Sequence, residues 1–299
     1  MSMGTITLEE TRSSLAARIT DFAGLTKPRV NALVLVTVAV AAVVAAGGIP
    51  EPMLLASVLV GTALVAVSAS AFNQWWERET DALMARTAGR PLPSGRLSTR
   101  DVVWFGTITI IVGTVQLAWM VNQLTAALGL VTWATYAWAY TPLKARSTTN
   151  TAVGAVSGAL PLLMGWAAVA PLNLAAYALA LIVFLWQFPH FMAIAWLYRR
   201  QYAAAGLQML PVVDPSGHRA AAQSVVAALL LVPVSLVPAV LGVADSWYFA
   251  AALFLSLLQF GSALWFAARL DDSSARWLVR ASLIYLPVLM ILLTLGPLV

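Results

Sequence analysis

Long apolar stretches separated by short polar segments dominate the hydrophobic pattern of this chain. Nine of them reach or approach the ~20 residues that a helix needs to cross a hydrocarbon core. They run approximately over residues 30–49, 53–75, 102–121, 124–140, 151–170, 174–196, 220–242, 247–267 and 278–298. The pattern therefore predicts an all-α, polytopic membrane protein of about nine transmembrane helices, the fourth being the shortest.

Composition supports a bilayer setting. The chain is 61% hydrophobic and 10% charged, whereas soluble domains are nearer 45–50% apolar and about 25% charged. The absence of cysteine excludes thiol catalysis, disulfides and Cys-ligated metal. Residues 1–26 lack the features of a signal or transit peptide. We expect them to form a partly disordered cytoplasmic tail before a single transmembrane domain, residues 27–299.

The basic residues predict the orientation. All 17 Lys and Arg residues lie before the first stretch or after the second, fourth, sixth and eighth. The opposite loops carry only Glu51 and Asp245 as charged residues. Because positive charge stays in the cytoplasm during insertion, the N-terminus should lie inside and the C-terminus outside. The net charge of +5 is explained by topology, so no nucleic-acid partner is predicted.

Two predicted inner loops, at about residues 76–101 and 197–219, are long, while the outer loops are minimal. Long loops in compact proteins are more often functional than idle. We therefore expect the chemistry at the inner end of the bundle.

The first long loop follows an acidic motif. Asn73, Glu77 and Asp81 are spaced i, i+4 and i+8, so on a helix they share one face. Stacked carboxylates repel unless a cation lies between them, and Mg²⁺ prefers a few hard oxygen ligands plus substrate phosphates. The alternative is a solvated helix end that Arg78 and Arg86 neutralise.

Basic residues near this motif are candidates for binding a diphosphate through bidentate hydrogen bonds. Arg90 begins a rigid Pro- and Gly-containing turn, RPLPSGR. The candidates that could converge there are Lys27, Arg29, Arg86, Arg90, Lys144 and Arg146. The positive-inside rule explains basic residues anywhere on this side, but it does not explain the interleaved acids.

The second long loop follows the only histidine within a predicted span, His190. A lone histidine in a helix is more often packed and hydrogen-bonded than a ligand. Asn150, Gln187 and Asp214 are further polar residues near the same face.

Several motifs in order resemble those of the protohaem IX farnesyltransferases (haem O synthases), a branch of the intramembrane aromatic prenyltransferase superfamily. They are LTKPRV, then NQWWERETDALMARTAGRPLPSG from Asn73, then YTPLK, NTAVGAVSGALPLLMGW, WQFPHF and AGLQMLPVV. The resemblance runs from about Leu25 to the last span, and the last two motifs are specific to the haem branch.

The resemblance implies nine helices around a central cavity in a bacterial plasma (inner) membrane, with the active site on the cytoplasmic face. It implies that Asn73, Glu77 and Asp81 hold Mg²⁺ on farnesyl diphosphate, and that haem B is the acceptor whose vinyl group attacks the allylic cation. The further substrate-binding residues that it implies are Lys27, Arg29, Arg78, Arg86, Arg90, Lys144, Arg146, Asn150, Gln187, His190 and Tyr202. It also indicates haem A synthase or terminal-oxidase assembly factors as protein partners.

The chain departs from the family pattern at its second acidic site. Arg200 and Gln201 stand where relatives usually carry acid, Ala145 replaces a residue that is commonly basic, and Glu77 replaces the usual Asp. Three interpretations remain open: a second Mg²⁺ is dispensable, Asp214 substitutes for the acid, or activity is altered.

Three other functions compete. They are a prenyltransferase for a quinone precursor, a non-catalytic homologue that binds haem or isoprenoid, and a transporter or channel. The quinone branch normally has an acid-rich second motif, which this chain lacks. A transporter would place ionisable groups at mid-membrane, whereas here they cluster at helix ends.

Overall fold

The computed structural model describes residues 8–298, and these residues form helices and turns without any strand. The helices are α1 (Leu8–Leu25), α2 (Pro28–Ala46), α3 (Pro52–Ala82), α4 (Thr99–Met120), α5 (Gln123–Ala134), α6 (Thr141–Leu143), α7 (Asn150–Val169), α8 (Leu174–Leu197), α9 (Arg199–Ala204), α10 (Leu210–Val213), α11 (His218–Val240), α12 (Ser246–Arg269) and α13 (Asp272–Leu298). A π-helical segment, Thr135–Tyr140, joins α5 to α6.

Eight helices within residues 8–298 are long and apolar enough to cross a membrane. They are α2, α3, α4, α7, α8, α11, α12 and α13, and they coincide with eight of the nine predicted stretches. The prediction of an all-α, polytopic membrane protein is confirmed. The count of nine spans and the orientation of the termini stay predictions.

The fourth predicted stretch, residues 124–140, is broken rather than one straight helix. It consists of α5 and the π-helical segment, and the short α6 follows. Pro142 has no amide hydrogen to donate to the carbonyl of Trp138, so it interrupts the α-helical ladder. The backbone N–H of Thr141 bonds instead to the carbonyl of Tyr136, five residues back.

Within the predicted N-terminal tail, residues 1–26, α1 begins at Leu8, and residues 1–7 lie outside the described residues; partial disorder of this tail stays a prediction. The end of α1 packs into the fold, since Leu25 is fully buried in a cluster with Leu92. The carbonyl of Leu25 also accepts a hydrogen bond from the side chain of Gln74 (3.0 Å). These contacts place α1 beside the end of α3 that carries the acidic motif.

The bundle closes on itself because α13 packs against both α2 and α8. One crossing is especially close: a Cβ atom on Gly165 of α7 would lie 2.1 Å from the carbonyl oxygen of Val38 on α2. Only glycine permits the two backbones to approach this closely. A groove of about 400 Å³, lined by Asn122 and Pro171 among others, opens at the end opposite the basic loops. The predicted central cavity stays a prediction.

Candidate active site

The acidic face is formed by Asn73, Glu77 and Asp81, on the last turns of α3. All three are buried, with 0, 9 and 1% of their surfaces exposed. The helix runs unbroken from Pro52 to Ala82, so the predicted spacing places them on one side of a single helix. Two carboxylates buried one turn apart repel each other, and stability therefore requires positive charge nearby.

Three basic residues from three separate segments each bind one member of the acidic face. They are Lys27 on the Oδ1 of Asn73, Lys144 on the Oε1 of Glu77, and Arg90 on the Oδ2 of Asp81. The two ion pairs have N–O distances of 2.7 Å at Glu77 and 2.5 Å at Asp81. Removal of one partner from such a buried pair typically costs about 3–5 kcal/mol, so these contacts also hold the segments together.

The backbone around each basic residue accounts for its position. Lys27 has a left-handed conformation (φ 47°), and Pro28 starts α2 directly after it; this turn separates α1 from α2. Lys144 ends α6, and its carbonyl accepts the backbone N–H of Gln208 (2.6 Å). Arg90 follows a turn in which the hydroxyl of Thr87 donates to the carbonyl of Asp81 (2.9 Å).

The two lysines differ electrostatically. Burial lowers the pKa of Lys27 to about 7, although the charge of Glu77 opposes this shift. Burial also acts to lower the pKa of Lys144, but the adjacent charge of Glu77 outweighs it and holds that pKa well above its usual value. Lys144 therefore carries a fixed positive charge, whereas the charge of Lys27 responds to any anion that enters the site.

The acidic face fits a Mg²⁺ ion. The Oδ1 atom of Asp81 is buried and has no hydrogen-bond partner among the described residues, which is costly for a carboxylate oxygen unless something else binds it. Two carboxylates and an amide oxygen are hard ligands of the kind that Mg²⁺ prefers. Within the described part of the chain no group of three Asp, Glu, His or Cys residues could hold a metal, so water and substrate oxygens would complete the coordination.

The two long loops meet at Arg86. Its guanidinium lies 5.2 Å from the ring centre of Tyr198 and 6.0 Å from that of Tyr202, a cation–π arrangement. Burial raises the pKa of Tyr202, so its hydroxyl stays protonated. The contact connects α9 with the loop that follows α3, and so places Tyr202 beside that loop.

Asp214, the candidate substitute for the acid missing at Arg200 and Gln201, is hydrogen-bonded at the start of α11. Asp214 caps α11: its carboxylate accepts the backbone N–H of Arg219 (2.9 Å) and the hydroxyl of Ser216 (2.5 Å). These hydrogen bonds lower the pKa of Asp214. The Oε1 of Gln201 is buried and lacks a partner among the described residues.

The remaining predicted residues divide into two groups. Arg78 pairs with the exposed Glu79 (2.8 Å), and Arg29 and Arg146 are exposed. The side-chain amides of Asn150 and Gln187 donate hydrogen bonds to backbone carbonyls. Among the described residues, none of these five forms a hydrogen bond or ion pair with the side chain of Asn73, Glu77 or Asp81.

The hydrogen bonds around His190 favour one tautomer. Its Nδ1 lies 2.7 Å from the hydroxyl of Ser282 on α13, and that hydroxyl donates to the carbonyl of Val279 (2.7 Å). Ser282 must therefore accept, so His190 carries its proton on Nδ1 and keeps a lone pair on Nε2. The ring stacks on Trp186, with ring centres 4.8 Å apart. Both contacts fix its orientation.

Sequence reasoning missed Thr141 and Ser282. Thr141 binds Asn73, with 3.0 Å between its hydroxyl and the Nδ2 atom. Its position before proline in YTPLK was the available signal, since a proline breaks the helix and exposes new hydrogen-bonding directions. No local signal pointed to Ser282, because its partner lies 92 residues away.

The chain is similar in sequence to a known protein family. The sequence profile of the UbiA prenyltransferase family matches residues 34–291. The chain is 42% identical over 282 residues to a protoheme IX farnesyltransferase from Solibacter usitatus, covering 90% of this chain and 96% of the relative. It is 44% identical over 275 residues to a protoheme IX farnesyltransferase from Myxococcus xanthus, covering 91% and 93%.

Two solved structures share the fold. One, from work on digeranylgeranylglyceryl phosphate synthase, has a TM-score of 0.81 at 14% identity and covers 94% of this chain and 99% of its own. The other is a UbiA homologue from Archaeoglobus fulgidus bound to DMAPP and Mg²⁺, with a TM-score of 0.67 at 16% identity, covering 92% and 98%.

Proposed function

The chain belongs to the UbiA prenyltransferase family, and we propose that it transfers the farnesyl group of farnesyl diphosphate to the vinyl group of haem B to form haem O. The observation that carries this proposal is the acidic face: each polar side chain there is bound by a basic residue, and the Oδ1 of Asp81 has no hydrogen-bond partner within residues 8–298. The names of its full-length relatives supply the two substrates.

The basic residues would bind the diphosphate. Lys27, Lys144 and Arg90 point their donors at the acidic face, and the same donors can turn to phosphate oxygens. When bound by the acidic face, Mg²⁺ would stabilise the negative charge that develops on the leaving diphosphate. The UbiA homologue solved with DMAPP and Mg²⁺ supports this combination of ligands.

The reaction balances without an oxidant. The bond between the allylic carbon and the diphosphate oxygen breaks, and the diphosphate leaves with the electron pair. The haem vinyl group forms the new carbon–carbon bond, water adds to the resulting cation, and one proton is released. The departing diphosphate is stabilised by the donors of Lys27, Lys144 and Arg90.

The protein is an integral membrane protein. The proposed active site lies on the cytoplasmic face of a bacterial plasma membrane, because the acidic face follows the second apolar stretch, on the side to which the sequence pattern assigns the Lys and Arg residues. A terminal-oxidase assembly factor or a haem A synthase would then accept the product.

Production of haem O tests the proposed function directly. The full chain is expressed in a bacterium that lacks its own haem O synthase, and extracted haems are analysed by mass. We expect a new species whose mass exceeds that of haem B by one farnesyl group and one hydroxyl group, because the vinyl carbons are already part of haem B. Membranes that contain the protein and bind haem B but form no haem O would favour the non-catalytic alternative instead.

We propose that His190 binds the haem substrate through the lone pair of its Nε2. The variant His190→Ala should weaken haem B binding by about 10-fold or more, measured as the Soret shift when haem B is titrated into purified protein. The matched control is His218→Ala, since His218 is the chain's other histidine and is exposed. Equal haem affinity in the two variants would refute this role.

A further inference from the structure

Thr141 lies between the π-helical segment and the acidic face, and the proposed reaction assigns it no role. It is 3% exposed and follows directly on the π-helical segment. Its hydroxyl lies 2.8 Å from the carbonyl oxygen of Tyr136 and 3.0 Å from the Nδ2 atom of Asn73. One side chain thus joins the broken helix to the acidic face.

The direction of each hydrogen bond follows from the atoms available. A threonine hydroxyl has one hydrogen, and a carbonyl oxygen can only accept, so Thr141 donates to Tyr136 and must accept from Asn73. Lys27 has only donors and therefore faces the Oδ1 of Asn73. Both neighbours require the same orientation of the Asn73 amide.

We infer that Thr141 is a positioning residue. It accepts a hydrogen bond from the NH₂ group of Asn73 and so keeps the amide oxygen, and not the nitrogen, available to the cation that the acidic face would bind. The inference rests on the proposed function, in which Asn73 contributes an oxygen ligand to Mg²⁺. A free amide could turn over and offer hydrogens to a cation, which would repel it. Partners that orient a ligand in this way typically change metal affinity by about 10–100-fold.

The broken helix gives Thr141 this position. Pro142 prevents a regular α-helix from continuing through this point, and the wider π turn directs Thr141 toward α3. Gly154 on α7 makes space for the neighbouring Tyr140, because a Cβ atom at Gly154 would lie 2.7 Å from the Tyr140 ring. π turns are frequent at functional sites. In this chain the π turn precedes Thr141, whose hydroxyl binds Asn73.

Metal affinity provides the test. Mn²⁺ serves as a spectroscopic probe for Mg²⁺, and its affinity is measured by electron paramagnetic resonance on purified full-length protein with a non-reactive farnesyl diphosphate analogue. We expect Thr141→Val to weaken Mn²⁺ binding about 10-fold, and Thr141→Ser, which keeps the hydroxyl, to stay within about twofold. Thr149→Val is the matched control, because Thr149 is exposed in the nearby loop and its hydroxyl lies beside that of Ser147.

A double-mutant cycle separates positioning from packing. In an Asn73→Ala background, Thr141→Val should have no further effect on Mn²⁺ affinity. An equal loss in both backgrounds, an unchanged affinity in Thr141→Val, or a loss in Thr141→Ser as large as in Thr141→Val would overturn the inference. Because haem B is absent from this experiment, a chain that formed no haem O would refute the proposed function without affecting the result for Thr141.

Discussion

Replacement of Asp81 by alanine is expected to abolish prenyl transfer, with a loss of roughly 10³-fold or more in the rate of haem O formation. Asp81 has one oxygen on Arg90 and one buried oxygen without a partner among the described residues, so it is the strongest candidate to bind a cation. Insertion should persist, since the side chain of Arg90 is 25% exposed and can be hydrated when its partner is removed. The rate is measured in membranes supplied with haem B and farnesyl diphosphate.

Glu79→Ala is the matched control for this variant. Glu79 lies on the same helix two residues earlier, and its replacement by alanine removes the same charge. Its side chain, however, is 82% exposed and pairs with Arg78. We expect nearly full activity from Glu79→Ala. Near-normal turnover in Asp81→Ala, at equal protein levels in the membrane, would refute the assignment of the acidic face as a metal site.

Removal of Mg²⁺ is expected to stop the reaction completely. Without a divalent cation, the carboxylates of Glu77 and Asp81 remain paired with Lys144 and Arg90. These carboxylates would also repel an incoming diphosphate. Activity is measured in excess EDTA and again after Mg²⁺ is restored, with EDTA already saturated by Mg²⁺ as the control. Full activity in excess free EDTA would contradict the proposed role of the cation.

Features that depend on local pattern could be predicted from the sequence. The spacing of Asn73, Glu77 and Asp81 indicated one helix face, and α3 does continue past the last of them. Eight apolar stretches became long helices because length and hydropathy alone decide whether a segment can span a bilayer. The motifs indicated the family correctly, since each contains several residues in a fixed order.

Features that depend on contacts between distant segments could not be predicted. Seven basic residues were candidates for the site, and the sequence offered no way to separate Lys144, which reaches Glu77, from Arg146, which is exposed. The break at Thr135–Tyr140 was missed because the hydropathy of the stretch is insensitive to a change in helical pitch. The contact between α1 and α3 joins Leu25 to Gln74, which are 49 residues apart.

The pairing of Lys144 with Glu77 has a consequence for biogenesis. The two residues are 67 positions apart, so the ribosome completes α3 long before it makes the lysine that neutralises this carboxylate. Until α4, α5 and α6 have been synthesised, Glu77 has to remain hydrated at the membrane surface. The end of α3 can settle to its final depth only after α6 emerges. Nascent chains halted before residue 144 would therefore hold this turn shallower than chains halted after it.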